Sequence, residues 1–582
     1  MQHSYAKTPF LPARRTLSAA AALTALFTSG CQTPPPVPAD SADLCALSNT
    51  DFSGWFESSA VSLNGVVKPA DSLNNLSPNC GFYAWSEQMF LWLNSPAPAA
   101  YGGGAHIFDS PAFYDVTPPD VNDQRTFLSH TPGLIRAFPL RVAQRGPHGL
   151  PVIMDRSGTL FEFNPPDANS RPLVRGPTGN VIEIAHARLD DKGRAILLDR
   201  EGAIIQAQHL TTATRLGDVL ARKESLSRNF LIDGISLFID PSLAVIDVEQ
   251  GQAETSGVLE AQTAVNGSLV YYATMVNDVY AYFLTGVKNG AITTTPPNQF
   301  PTTIADLNQT IAYASAHGKG STPFPDPNAL AVEVKSSWVL AAGLPNLASY
   351  ITMEATIPVY DRSNPDIWNP TGQQTVKLAL VGMHVVGSTF THPEMVWATF
   401  EHDGNTPPAD YTYNATGGPK TVTQNTSGTW LFSATGSAGP FNTAHMAFTG
   451  PPNNQIKAAA SFHISPSDTL RTNPWGVPGG IASSNSEVIS MNHHVRSMLA
   501  GGDVRANYMM TGATWTPFGS PPSDTNLGVG ANRLANTTME TYQQGNTNCF
   551  SCHQTFQMPP TLNPNGISHI FGGATTGLKP LF

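Results

Sequence analysis

The chain is 582 residues long, 41% hydrophobic but only 13% charged, with 49 Gly, 49 Pro and a formal net charge of -11. So few charges exclude a coiled coil, a long helical solenoid or a disordered polyelectrolyte, and no apolar run reaches the ~18 residues of a spanning helix. An acidic chain without a Lys/Arg run is a poor nucleic-acid binder, because phosphate contacts supply most of that affinity. What remains is a soluble, loop-rich globular protein with much β structure.

Residues 1–30 read as a signal peptide. Lys7, Arg14 and Arg15 form a positive n-region, and Leu17 to Ser29 are apolar or small. Thr28-Ser29-Gly30-Cys31 resembles a bacterial lipoprotein cleavage site, with Thr28 where Leu is usual, and makes Cys31 the candidate lipidated residue. Ordinary cleavage nearby is the alternative. Removing residues 1–30, which carry three basic and no acidic side chains, would take the charge from -11 to -14. Residues 31–48 include Gln32-Thr-Pro-Pro-Pro-Val-Pro, stiff chain that cannot pack. They read as a tether holding the protein at a membrane surface, in the periplasm or attached to the outer membrane. With Cys31 lipidated, Cys45 and Cys80 are left to pair in an oxidising compartment.

We place a β-rich N-terminal domain at 49–260 and a second domain at 261–582. Residues 80–93 carry Trp85, Met89, Phe90, Trp92 and Leu93 at helical spacing. From about 132 to 210 short apolar runs alternate with turn signals, as in a β meander, with hairpins turning at Asp155-Arg-Ser-Gly158 and Asp199-Arg-Glu-Gly202. Residues 268–285 read as a helix. Four strand-like runs follow at 329–339, 349–360, 374–387 and 394–402. Pairing the last two around 387/394 sets His384 opposite Trp397 and His402 level with 379. The two histidines are then roughly 17 Å apart along the strands, too far to share a metal ion. His384, His392 and His402 therefore read as hydrogen-bonded sheet residues. Residues 484–499 form an amphipathic helix, and Thr537 with Glu540 matches a capping box for a short helix ending near Gly545.

Residues 549–553 read Cys-Phe-Ser-Cys-His. C-x-x-C-H is the attachment motif of c-type haem, in which both thiols add to vinyl groups and the adjoining His ligates iron. With five Cys and 16 His in the chain it arises by chance about once in a thousand. Zinc would need further ligands, and no Cys is spare. A thioredoxin-like pair would need a βαβ setting that is not visible. Cys549, Cys552 and His553 are thus the candidate sites for one covalent haem c, which makes 261–582 a haem-binding domain. Only 29 residues follow His553, too few for a whole small cytochrome, so the haem must pack against earlier chain. For the sixth ligand His569 ranks first, 16 residues beyond His553, ahead of Met558, His494, Met539 and Met509 or Met510, with an open position as the alternative.

These pieces, with Trp85–Asn94, Trp397–His402, Asn507-Tyr508, Gly512–Trp515, Leu534–Gln543 and Ser568–Phe571, resemble a family of large, exported bacterial mono-haem cytochrome c-like proteins, mostly of unassigned function. The resemblance implies haem binding and electron transfer, without a substrate. The expectation is an α+β, β-rich fold of antiparallel sheets, with helices packed around a C-terminal covalent haem, moving single electrons to an unknown redox partner. A haem-dependent peroxidase or dehydrogenase and a redox-sensing surface binding protein are the alternatives. No hydrolase triad order, phosphate loop or dinucleotide glycine motif stands out.

Overall fold

The computed structural model describes residues 37–582, apart from 74–75, 77, 119–123, 138–149, 151, 155–159, 168–170, 190–194, 211–226, 234, 248–252, 254–256, 294–298, 438, 450–452, 460–461, 478–480, 524–525, 527, 545–547, 555–566, 569 and 571–576. The leader, Cys31 and most of the Pro-rich segment lie outside the described residues, as do the Asp155–Gly158 turn, Met558 and His569. The architecture is α+β and strand-rich. A large, mostly antiparallel sheet is built from β1 (Phe113–Val116), β2 (Phe127–Ser129), β3 (Tyr271–Asn277), β4 (Val332–Leu340), β5 (Thr352–Asp361), β6 (Ile367–Thr389), β7 (His392–His402), β8 (Tyr508–Trp515) and β9 (Val529–Gly530). Its spatial order is β9-β8-β7-β6-β4-β3-β1-β2, with β5 along the first half of β6. Strands from both sides of residue 260 share this sheet, since β1 pairs with β3.

The central strands are buried on both faces, so they read as continuous apolar runs rather than clean alternation. This explains residues 268–285: they are not one helix but β3 followed by α2 (Asp278–Lys288), switched at Asn277, whose side chain accepts from the Tyr280 amide. The four strand-like runs between 329 and 402 correspond to β4 to β7. The β6–β7 register differs from the one expected. Gly387 opposes Val396, and His384 faces Thr399, because a two-residue loop at Phe390-Thr391 closes the hairpin with a bulge. His402 is accordingly level with 381. In the expected meander, 173–175 pairs with 181–183 and 186–189 with 195–198, whereas Leu134–Arg136 joins β5 in parallel. The small sheets between 152 and 246 keep apolar clusters of their own around Val174, Phe230 and Leu237 and around Phe161 and Phe163.

One face of the large sheet is covered by α1 (Pro78–Leu93) and α3 (Ala482–Met498). Phe90 of α1 stacks on Phe400 at 4.2 Å, and Phe82 on Trp515 at 3.8 Å. Against the other face lie residues 536–540 and the turn at 549–553. Cys45 and Cys80 form a disulfide, with Cα atoms 5.2 Å apart, that ties the N-terminal chain to α1. Both are buried. Closing a loop between residues 35 apart in sequence is worth about 3–4 kcal/mol on the chain-entropy account. Replacing both by Ala should lower unfolding stability by that order. An unchanged denaturant midpoint in the double variant would count against the bridge.

Candidate functional site

The motif sits on a four-residue helical turn, α4 (Cys549–Cys552). Asn548 caps it: its side-chain oxygen accepts from the Phe550 amide at 2.8 Å, and its Nδ2 donates to the Asn532 carbonyl at 2.6 Å. The His553 amide closes the turn onto the Cys549 carbonyl at 2.9 Å. Phe550, fully buried, wedges the turn against the sheet beside Trp397 of β7, with ring centres 6.1 Å apart. Gly528 has φ near +91°, and a Cβ there would come within 2.7 Å of the Phe550 ring, so this position admits only glycine without displacing the wedge.

The half-buried imidazole of His553 lies 4.2 Å from the Trp397 ring, and its Nδ1 is 2.8 Å from the Ile567 carbonyl. A carbonyl only accepts, so Nδ1 carries the proton and Nε2 carries the lone pair in the neutral ring. That is the tautomer a metal-ligating histidine needs, fixed by the hydrogen bond at its other nitrogen. Ile567, Ile570, Met395 and Val386 complete an apolar cluster around the motif. The donors and their surroundings fit a covalent haem: a helical turn carrying Cys549, an oriented imidazole and a dry, aromatic wall.

Strand alternation decides what else faces this segment. Trp397, Thr399 and Glu401 of β7 point to the motif side, while Phe400 points to α1. On that side the chain from Asn536 to Glu540 lies flat on the sheet. Asn536 donates to Thr399 at 2.9 Å, and Thr537 donates through its amide and hydroxyl to both oxygens of Glu401. Thr538 and Ser337 share a 2.6 Å hydroxyl contact, and Tyr272 donates to the Thr538 carbonyl. This approach needs Gly382: a Cβ there would sit 2.6 Å from both hydroxyls. It also overturns the capping-box reading. Thr537 and Glu540 do not form a helix start, because Glu401 takes the Thr537 hydroxyl and Glu540 instead accepts from the Asn536 amide and contacts His384 at 3.0 Å.

The sheet histidines are bonded as expected: His384 to Glu540, His392 to Glu394 at 2.7 Å, and His402 to Ser349 at 3.2 Å and the Gly404 amide. Burial pulls the His402 pKa down to about 3, so it is neutral. Among the described residues no group of three or more His, Cys, Asp or Glu is placed to hold a metal ion. Of the sixth-ligand candidates, His494 lies on α3, which packs with α1 on the opposite sheet face, and is 3.2 Å from Asp43. Met509 accepts from Arg471, and Met539 is buried in the main core. His569 falls outside the described residues, between buried Ser568 and Ile570. The Trp397 wall and the Ile567 carbonyl were not assigned to the site from sequence: nothing in local spacing links residues 156 and 14 positions from His553.

The chain matches no protein-family model, no curated protein and no solved structure. No described helix is long and apolar enough to cross a membrane.

Proposed function

We propose that the protein is an exported, membrane-tethered c-type haem protein that transfers single electrons, with haem bonded to Cys549 and Cys552 and ligated by His553. The observation that carries this reading is the Nδ1 hydrogen bond from His553 to the Ile567 carbonyl within the C-x-x-C-H turn. Bound haem would supply a one-electron couple whose potential follows from its axial ligands and its burial. The chain's own part is to hold the imidazole in one tautomer, exclude water with Trp397, Phe550 and Ile567, and bring the site to rest on a rigid sheet. Cys45 and Cys80 are committed to each other, which keeps them from competing for the cofactor.

The test is production in a bacterium competent for c-type haem maturation. Haem should survive denaturing electrophoresis in the wild type and be lost in Cys549→Ala/Cys552→Ala; stain retained by the double variant would defeat the assignment. For the sixth position we propose His569, flanked by apolar Ile567 and Ile570. The optical spectrum should be low-spin without the methionine charge-transfer band, and His569→Ala should become high-spin and open to cyanide. An unchanged spectrum in that variant would remove His569 as a ligand.

A further inference from the structure

Behind the Ile567 carbonyl that holds His553 lies a set of three buried polar side chains. Ser568, Glu333 of β4 and Tyr280 of α2 are each no more than 2% exposed. The Ser568 hydroxyl donates to Glu333 Oε2 at 3.0 Å, and the Tyr280 hydroxyl donates to Ser568 Oγ. The Ile570 amide also donates to Ser568 Oγ, at 3.3 Å. One proton given and two accepted exhaust a serine hydroxyl. The protons of the set therefore run toward Glu333, which accepts them as a carboxylate does. Burial, and then the charge of Glu333, push the Tyr280 pKa well above its ordinary value, so the phenol keeps its proton and stays a donor.

The seat for Ser568 is built by parts of the chain far from it in sequence. Tyr280 stands in the first turn of α2, and Glu333 is the second residue of β4. Asn277 locks these two elements together. Its Nδ2 donates to the Leu330 carbonyl at 2.7 Å, while its Oδ1 accepts from the Val332 and Tyr280 amides, both at 3.0 Å. The Tyr280 ring packs on Phe300, with centres 5.2 Å apart. The C-terminal segment thus docks one serine onto two fixed partners, and the residue before it presents its carbonyl to His553 at 2.8 Å. An apolar pair would seat this segment as firmly, because a buried charge loses its hydration while neutral packing does not. What only a carboxylate adds is negative charge behind the imidazole.

We infer that Glu333, acting through Ser568 and Tyr280, fixes the Ile567 carbonyl on His553 and holds the haem iron at a lower reduction potential than neutral packing would. The inference rests on the haem reading above and adds the residue that tunes the couple. Glu333 is a positioning residue, since it acts through Ser568. Two effects work in the same direction. Nearby negative charge favours ferric over ferrous iron, and a firmly held Nδ1 proton makes the imidazole a more basic ligand.

The experiment is a redox titration of purified holoprotein, with covalent haem content measured on the same samples. Glu333→Gln keeps the shape and an acceptor oxygen for Ser568 but removes the charge, so its midpoint potential should rise above that of wild type. Glu333→Asp should recover part of the wild-type value. Ser568→Ala cuts the link, and should both raise the potential and speed solvent exchange of the His553 Nδ1 proton, followed by nitrogen-15 histidine NMR of the reduced protein. A wild-type or lower potential in haem-loaded Glu333→Gln would overturn the inference while leaving the haem reading intact. If Glu333→Gln fails to fold, the same result in haem-loaded Ser568→Ala overturns it. A wild type without thioether-bound haem would overturn both, and haem content reports that outcome separately.

Discussion

Trp397→Ala should unseat the motif. Trp397 is buried, packs against both His553 and Phe550, and donates from its indole nitrogen to the Glu394 carbonyl at 3.1 Å. Truncating a buried Trp costs about 3–5 kcal/mol, and here the cavity would open beside the imidazole. The expected result is a lower unfolding midpoint together with a holoprotein whose haem spectrum broadens or loses its low-spin character. Trp397→Phe should recover most of both properties. A Trp397→Ala protein with wild-type stability and spectrum would show that β7 does not position His553.

The second large effect concerns His130. Its two ring nitrogens each lie 3.0 Å from a carboxylate, Asp109 on one side and Asp115 on the other, and Arg136 reaches Asp115 at 2.5 Å. Asp109 also accepts from the amides of Gly133 and Ala105. Burial pulls the His130 pKa down, but the hydrogen bonds and charges of Asp109 and Asp115 outweigh it and hold the pKa at about 9. A folded pKa above the unfolded value of about 6.5 means that the charged imidazole stabilises the fold fully below pH 6.5. That contribution, about 3 kcal/mol, fades as pH rises through 9. His130→Ala should cost about 3–5 kcal/mol at pH 7, because it strands a buried carboxylate. Denaturant titrations of wild type at pH 7 and pH 10 should differ by about 3 kcal/mol, a difference that His130→Ala loses. A wild-type stability independent of pH over that range would refute the account of this cluster.

The strands from 329 to 402 were legible because their β-branched runs are long and bounded by turns. Their register was not, because the tight loop at Phe390-Thr391 places Thr391 at φ +66° without a Gly or Asn to announce it. The change from strand to helix at Asn277 was hidden for a related reason: β3 is buried on both faces and shows no period of two, leaving the capping Asn as the one local signal. Thr537 and Glu540 misled because a capping box is a local pattern, while Glu401 and His384, far away in sequence, compete for the same side chains. At the site, the five residues of the motif could be read directly. Its Trp397 wall could not, since the strand that carries it lies 156 positions before His553.

The central claim, a haem covalently held at residues 549–553, is tested most directly by intact mass of the denatured, iodoacetamide-treated protein from a host that matures c-type haem. The account predicts a single species heavier by one haem, with neither Cys549 nor Cys552 alkylated. A chain at the apoprotein mass with both cysteines alkylated would contradict it.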